Sequence, residues 1–387
     1  VTRGALAIAD LLAAADGGEG GGAPAAAIEA FLARHPPPIV EGSSITFLYR
    51  GRADDVRLRH WVFGLPSSQP FRRLRGSDLW WLVLDVPPES RIEYKLEVEA
   101  DGVRRLVLDP ANPRVAHDPF GTNSVCHGSG YQRPEWTLPD AEARPGSLEE
   151  MEVFSEAFGE TRRVAVYLPA RFRPTRRYRL LVAHDGDDYL RYAGMKTVLD
   201  NLIHRYEVPP LVSVFTQSPD RTAEYAADPR HARFLADDLL PALEARLPLR
   251  ERARDRALLG ASLGAVASFA AACERPGTFG RLLLQSGTFA FRDIGAHRRE
   301  TFLEPVVALV NAFRRDPRPV SERVFVSCGV YESLVYENRS FLPSLQASGM
   351  DVRYVEARDG HNWENWRDRL REGLSWLFPG PVGLVYE

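Results

Sequence analysis

The chain has 387 residues, 44% of them hydrophobic and 26% charged, a globular composition with ample material for a buried core. Its 49 basic and 52 acidic side chains leave a formal net charge of −3, which gives no electrostatic support to a nucleic-acid or membrane-surface role. The length suggests two domains, and the absence of an apolar run of roughly eighteen residues gives no reason to expect a membrane span.

In chain order, residues 1–40 are expected to be a flexible N-terminal segment. Ala5 to Ala15 is moderately apolar but is interrupted by Asp10 and preceded by Arg3 alone, a poor secretory signal. The stretch GGEGGGAPA over 17–25 has linker composition. A short helix is predicted over Ala26 to Arg34, stopped by Pro36, Pro37 and Pro38. From 41 to 130 the signals are those of strands. Ile45 to Arg50 is rich in β-formers, and Ile92, Tyr94, Leu96 and Val98 alternate with charged residues, the period of a half-wet antiparallel strand. Turn signals at Gly76-Ser77-Asp78 and Asp101-Gly102 punctuate the region, and a small antiparallel β-sandwich is predicted.

The boundary is placed between Gln132 and Pro145, with a second domain over 145–380. There, apolar runs at Val164–Leu168, Leu180–Ala183, Pro210–Phe215, Ala257–Gly260, Leu282–Leu284, Val324–Val326 and Val352–Glu356 read as strands. Helical spacing appears around 190–204, 234–247, 265–272 and 363–377. Strands alternating with helices predict an α/β domain with a mostly parallel sheet covered on both faces. Cys126, Cys273 and Cys328 form no C-x-x-C pair, which fits a reducing, cytoplasmic setting and predicts no metal site.

The chemistry is concentrated in three places. Gly260-Ala261-Ser262-Leu263-Gly264 is a G-x-S-x-G with an apolar strand before it and an alanine-rich helix after it. A hydroxyl is a weak nucleophile and must be held exposed beside a base; a sharp strand-to-helix turn does this. Ser262 is therefore the candidate nucleophile of an α/β-hydrolase fold. His361, between the last predicted strand and the final helix, is the candidate general base. Glu332, after the strand Val324–Val326, is the candidate acid that orients the imidazole, with Glu337 and Asp359 as alternatives. The backbone N–H groups of Leu263 and Asp187 are candidate oxyanion donors, Gly186 permitting the tight backbone course. Three aspartates at 185, 187 and 188 also admit a solvated loop or a metal-binding reading, but no second cluster completes a metal site. Arg221 and Tyr189 are candidate substrate contacts; for Arg221 the alternative is an ion pair with Glu224.

The second domain resembles the enterochelin esterase branch of the esterase D-like α/β-hydrolases. The resemblance rests on LLVAHDGDDYL at 180–190, RTAEYAADPRHARFLADDLLPALE at 221–244, LLGASLGAVAS at 258–268, LLLQSGTF at 282–289, SCGVYESLVYENRSFLPSL at 327–345 and DGHNWENWRDRLREGLSWLF at 359–378. The first domain is similar to the immunoglobulin-like domain of those enzymes through ITFLYRG at 45–51, GSDLWWLVLDVP at 76–87 and DPANPRVAHDPFGTNSV at 109–125. The resemblance implies a serine esterase that needs no cofactor. Its nucleophile, base and acid would be Ser262, His361 and Glu332. The implied substrate is a small-molecule ester, a ferric catecholate siderophore whose ester bonds are cut to release iron. It implies no nucleic-acid or membrane partner. The nucleophile sequence GASLG departs from the bulkier and aromatic residues usual in enterochelin esterases. Other acyl esters (feruloyl, acetyl or thioester) and a non-catalytic sugar- or siderophore-binding protein, with Trp61, Trp80 and Trp81 as stacking candidates, are the other readings.

Overall fold

A computed structural model describes residues 6–17, 25–291 and 301–381. Contacts divide the chain into two compact units: Val1–Gln132 with Val330–Glu332 and Arg358–Gly360, and the remainder from Arg133 onward.

The first unit begins with two helices, α1 (Ala7–Gly17) and α2 (Ala25–Arg34). α2 is the helix predicted over Ala26 to Arg34, whereas α1 lies in the stretch expected to be flexible. Ile8, Leu11, Ala15, Ile28 and Phe31 are buried in one cluster with Ile39, Leu48, Leu74 and Leu79, so tertiary packing stabilises helices too short to persist alone. Residues 18–24 of the glycine-rich stretch lie outside the described residues. Ten strands follow: β1 (Ile39–Glu41), β2 (Ser44–Arg50), β3 (Asp55–His60), β4 (Ser68–Pro70), β5 (Arg72–Arg73), β6 (Leu79–Asp85), β7 (Arg91–Ala100), β8 (Val103–Val107), β9 (Val115–Asp118) and β10 (Gly121–His127). One sheet has the order β1-β2-β6-β5; the other runs β4-β3-β7-β10-β9, with β8 on β7. Every pairing is antiparallel. Alternate residues of both sheets, among them Phe47, Leu58, Trp80, Tyr94 and Leu96, share one core, as the period of two predicts. Trp80 is buried in that core while Trp61 is exposed.

The second unit holds one eight-stranded sheet. Its strands are β11 (Ser147–Ser155), β12 (Glu160–Leu168), β13 (Arg179–Ala183), β14 (Leu211–Thr216), β15 (Arg256–Ala261), β16 (Arg281–Gln285), β17 (Arg323–Gly329) and β18 (Asp351–Ala357). The order is β11-β12-β14-β13-β15-β16-β17-β18. β11 and β12 run antiparallel and the other six are parallel. The apolar runs of the parallel strands split by alternation. Leu180, Val182, Leu258, Leu282 and Val324 face one core, and Leu181, Ala183, Leu259, Leu283 and Phe325 the other.

Helices cover both faces: α3 (Gly186–Arg191), α4 (Met195–His204), α5 (Arg221–Tyr225), α6 (Pro229–Arg233), α7 (Leu240–Arg246), α8 (Leu263–Glu274), α9 (Glu304–Arg315), α10 (Val335–Ala347) and α11 (Trp363–Leu377). The helix predicted around 190–204 is two helices, broken before Gly194, which has φ 60°. The helical spacing over 234–247 is a π-helical turn, Phe234–Leu239, running into α7.

Candidate active site

Ser262 lies between β15 and α8, so the chain turns from strand to helix at this residue. It does so at φ 58°, ψ −120°, a conformation that costs a non-glycine residue about 1–3 kcal/mol. Its neighbours hold it there. The Ser262 N–H donates to the Gln285 carbonyl at 2.8 Å, and the Ser262 carbonyl accepts from the N–H groups of Ala265 at 3.2 Å and Thr288 at 3.3 Å. The Ser262 Oγ lies 3.3 Å from Thr288 Oγ1. Ser262 is half-buried between two buried neighbours. The flanking glycines have different duties. A Cβ on Gly260 would sit 2.2 Å from the carbonyl carbon and oxygen of Gly264, so no side chain fits there. A Cβ on Gly264 would meet His184 Cβ and Asp185 Oδ2 at 3.3 Å, which brings the loop after β13 close to the start of α8.

That loop corrects one detail of the sequence reading. The left-handed residue is Asp185, at φ 50°, ψ 47°. Gly186 is required by close approach instead: a Cβ there would lie 2.6 Å from the Phe215 backbone. Arg221 clamps the strained residue, with Nε and Nη2 donating to the two Asp185 carboxylate oxygens at 2.8 Å each. The same Nη2 lies 3.4 Å from the carbonyl oxygen of Ala261, the residue before Ser262. One guanidinium thus joins the loop after β13 to the nucleophile turn. The expected Arg221–Glu224 pair is not formed, because Glu224 is taken by Arg162 at 2.7 and 2.8 Å. Arg221, the candidate contact for an anionic substrate, has its charge matched by Asp185 and stays partly exposed. Burial and then the Asp185 charge raise the Asp188 carboxyl, while the Asp187 side chain is exposed. Among the described residues, the N–H groups of Leu263 and Asp187 donate to no protein group.

Tyr189 is a second correction. It is fully buried, and its hydroxyl donates to Gln285 Oε1 at 2.7 Å, so it braces the core rather than meeting a substrate. Gln285, buried at the end of β16, is a hub that sequence reasoning missed. Its backbone carbonyl holds Ser262, and its Nε2 donates to the Trp366 carbonyl at 2.8 Å. Trp366 Nε1 donates to Ser286 Oγ at 2.9 Å, and the Trp366 ring stands edge-on to the His361 imidazole at 5.0 Å. Ser262 and His361 are therefore linked through Gln285 and Trp366. The available signals were a polar residue closing an otherwise apolar strand, LLLQ, and a tryptophan in the first turn of the helix after the histidine.

His361 is exposed in the loop between β18 and α11, where Asn362 caps the helix by accepting from the Asn365 N–H at 2.9 Å. Glu332 is buried in the turn after β17. Asp359 is buried too, and its carboxylate accepts from Arg91 Nη1 at 3.2 Å and from the Gly360 N–H at 2.7 Å. His184 is a buried strut. Its Nδ1 lies 3.1 Å from the Leu259 carbonyl and 3.0 Å from Ser268 Oγ, and its Nε2 lies 3.0 Å from His231 Nε2. Burial, reinforced by His231, pushes its pKa down to about 3.

The chain belongs to the family described as "Putative esterase", whose model matches residues 155–377. It is similar to the iron(III) enterobactin esterase of Escherichia coli K12, 25% identical over 348 residues that cover 80% of this chain and 82% of that protein. The iron(III) enterobactin esterase of Dickeya dadantii is 26% identical over 400 residues, with 90% and 92% covered. Among solved structures, the ferric enterobactin esterase from Salmonella typhimurium superposes with a TM-score of 0.71 at 20% identity, over 86% of this chain and 93% of that one. A ferulic acid esterase from Anaeromyces mucronatus gives 0.52 at 15% identity, over 62% and 94%. The fold is the α/β-hydrolase fold, as expected, and the protein is a carboxylic ester hydrolase.

Proposed function

We propose that the enzyme works through an acyl-enzyme on Ser262 and that its substrate is an ester-linked siderophore of the enterobactin type. His361 takes the Ser262 proton as the hydroxyl attacks the ester carbonyl, then returns it to the leaving alcohol. Glu332 fixes the imidazole tautomer and stabilises the imidazolium. The N–H groups of Leu263 and Asp187 receive the developing oxyanion. Water then attacks the acyl-enzyme by the same route in reverse roles, releasing the acid and restoring Ser262.

The observation that carries this reading is the strained backbone of Ser262, held between β15 and α8 with an obligatory glycine two residues before it. Strain of this kind persists where the surroundings over-determine it, and here it presents a hydroxyl. The siderophore assignment draws its support from relatives named as iron(III) enterobactin esterases over at least four-fifths of this chain. A cytoplasmic location is part of the proposal; among the described residues no helix is long and apolar enough to cross a membrane.

The test is mass-spectrometric analysis of products from ferric enterobactin, beside methyl ferulate and a short-chain p-nitrophenyl ester, with Ser262→Ala as blank. Linear trimer, dimer or monomer from wild type alone is the expected result. Cleavage of the ferulate or p-nitrophenyl ester without the siderophore would keep the esterase and reject the siderophore.

A further inference from the structure

Far from the nucleophile turn, the second unit has a cavity of about 740 Å³ at the starts of β13 and β14. Ser262 follows the opposite, C-terminal end of β15 in the same parallel sheet. The cavity is lined by Arg144, Arg171, Arg173, Arg176 and Arg179. Asp200 is the one carboxylate among its described lining residues, and its oxygens are already engaged. Oδ1 accepts from the Gly146 N–H at 2.7 Å and the Tyr167 hydroxyl at 2.8 Å, and Oδ2 from Lys196 Nζ at 2.7 Å. Arg179 is matched by Asp255 at 3.2 Å. Arg144, Arg171, Arg173 and Arg176 have no carboxylate partner among the described residues.

Four unmatched guanidinium groups around one concavity produce a strong positive potential, and the planar guanidinium fork fits phosphate oxygens two at a time. The lining also includes His204 and the apolar surfaces of Pro210, Pro379 and the exposed ring of Tyr206. A volume of this size accepts a ligand of a few tens of atoms. A single carboxylate would leave most of the positive charge unmatched, whereas a chain of phosphates matches it.

We propose that this cavity binds a phosphorylated small molecule of nucleotide size, at a site separate from Ser262. The arginines hold the phosphates, and the proline and tyrosine surfaces carry the apolar part.

The test is isothermal titration of the full chain with ATP and with inorganic phosphate, in buffers matched for ionic strength with sodium chloride. The expected result is saturable ATP binding at least tenfold tighter than phosphate, unchanged in Ser262→Ala and weakened at least tenfold in Arg173→Ser/Arg176→Ser. Both arginines are exposed. The bond from the Arg173 backbone N–H to the Tyr178 hydroxyl at 2.8 Å survives the substitution, so the double variant keeps its fold. Turnover of a p-nitrophenyl ester in that variant checks this independently and is expected to be unchanged. No saturable ATP binding, binding unaffected by the double substitution, or loss of binding in Ser262→Ala would each overturn the proposal.

Discussion

The two ends of the parallel sheet are built on different principles. At the C-terminal end, β13, β15 and β16 each run into a non-glycine residue with positive φ: Asp185 at 50°, Ser262 at 58° and Ser286 at 48°. At the N-terminal end, β13, β15, β16 and β17 each begin with an arginine: Arg179, Arg256, Arg281 and Arg323. One end stores backbone strain and aims main-chain and hydroxyl groups. The other gathers arginine side chains at the strand starts. Strain is useful where a reacting atom must be placed to a fraction of an ångström, and charge where a ligand is only to be held.

The largest expected effect concerns the strained end. Glu332→Gln is expected to lower kcat on a p-nitrophenyl ester by about 10⁴-fold, because the imidazole loses its orienting charge. Unchanged kcat would move the acid role to Glu337 or Asp359. Next comes Gly260→Ala. Its methyl would overlap the Gly264 backbone, and overpacking against main chain is expected to cost about 3 kcal/mol in urea unfolding. A variant as stable as wild type would show that the turn relaxes easily and stores little strain. A smaller effect of opposite sign tests the same point. Ser262→Gly is expected to raise stability by about 1 kcal/mol while abolishing turnover, since glycine adopts φ 58° without a steric cost.

The smallest effect is on pH dependence. His184 is buried against His231, with Glu224, Arg162 and Arg221 as the nearby charges, and its pKa is held at about 3. Its unfolded value is about 6.5. Protonation therefore favours the unfolded state. The contribution of His184 is complete above about pH 6.5 and is lost as the pH falls toward 3. His184→Gln should flatten the fall in melting temperature across that window. An identical slope in the variant would mean that other groups set the acid sensitivity. Glu224 has the same sign. Burial alone would raise its pKa, but hydrogen bonds from His231 and Arg162 outweigh burial and hold it at about 2.

How much of this was legible in the sequence follows from the range of the interactions. The turn at Ser262 is local: a strand, two glycines and an alanine-rich helix are all within a dozen residues, and the sequence shows them. The last helix is read over the same residues the structure gives, Trp363–Leu377, because its apolar stripe and its asparagine cap are local too. β11 carries no strand signal in its first residues, which are exposed and acidic; only its second half, Met151, Val153 and Ser155, alternates into the core. α3 was obscured by three aspartates, one of which is neutralised by an arginine 36 positions away. Tyr189 looked like a loop aromatic near the site, and nothing local indicated that its hydroxyl would meet Gln285, 96 positions on. The hub formed by Gln285 and the clamp formed by Arg221 depend on such distant pairs, which a single sequence does not display.

The central claim is that Ser262 is an activated nucleophile. It is tested most directly by incubating the protein with a fluorophosphonate and locating the adduct by peptide mass spectrometry. One phosphonyl group per chain, on the peptide carrying Ser262 and absent from both Ser262→Ala and His361→Ala, is the predicted result. A folded wild-type protein that takes up no label, or takes it up on another serine such as Ser286, would contradict the account.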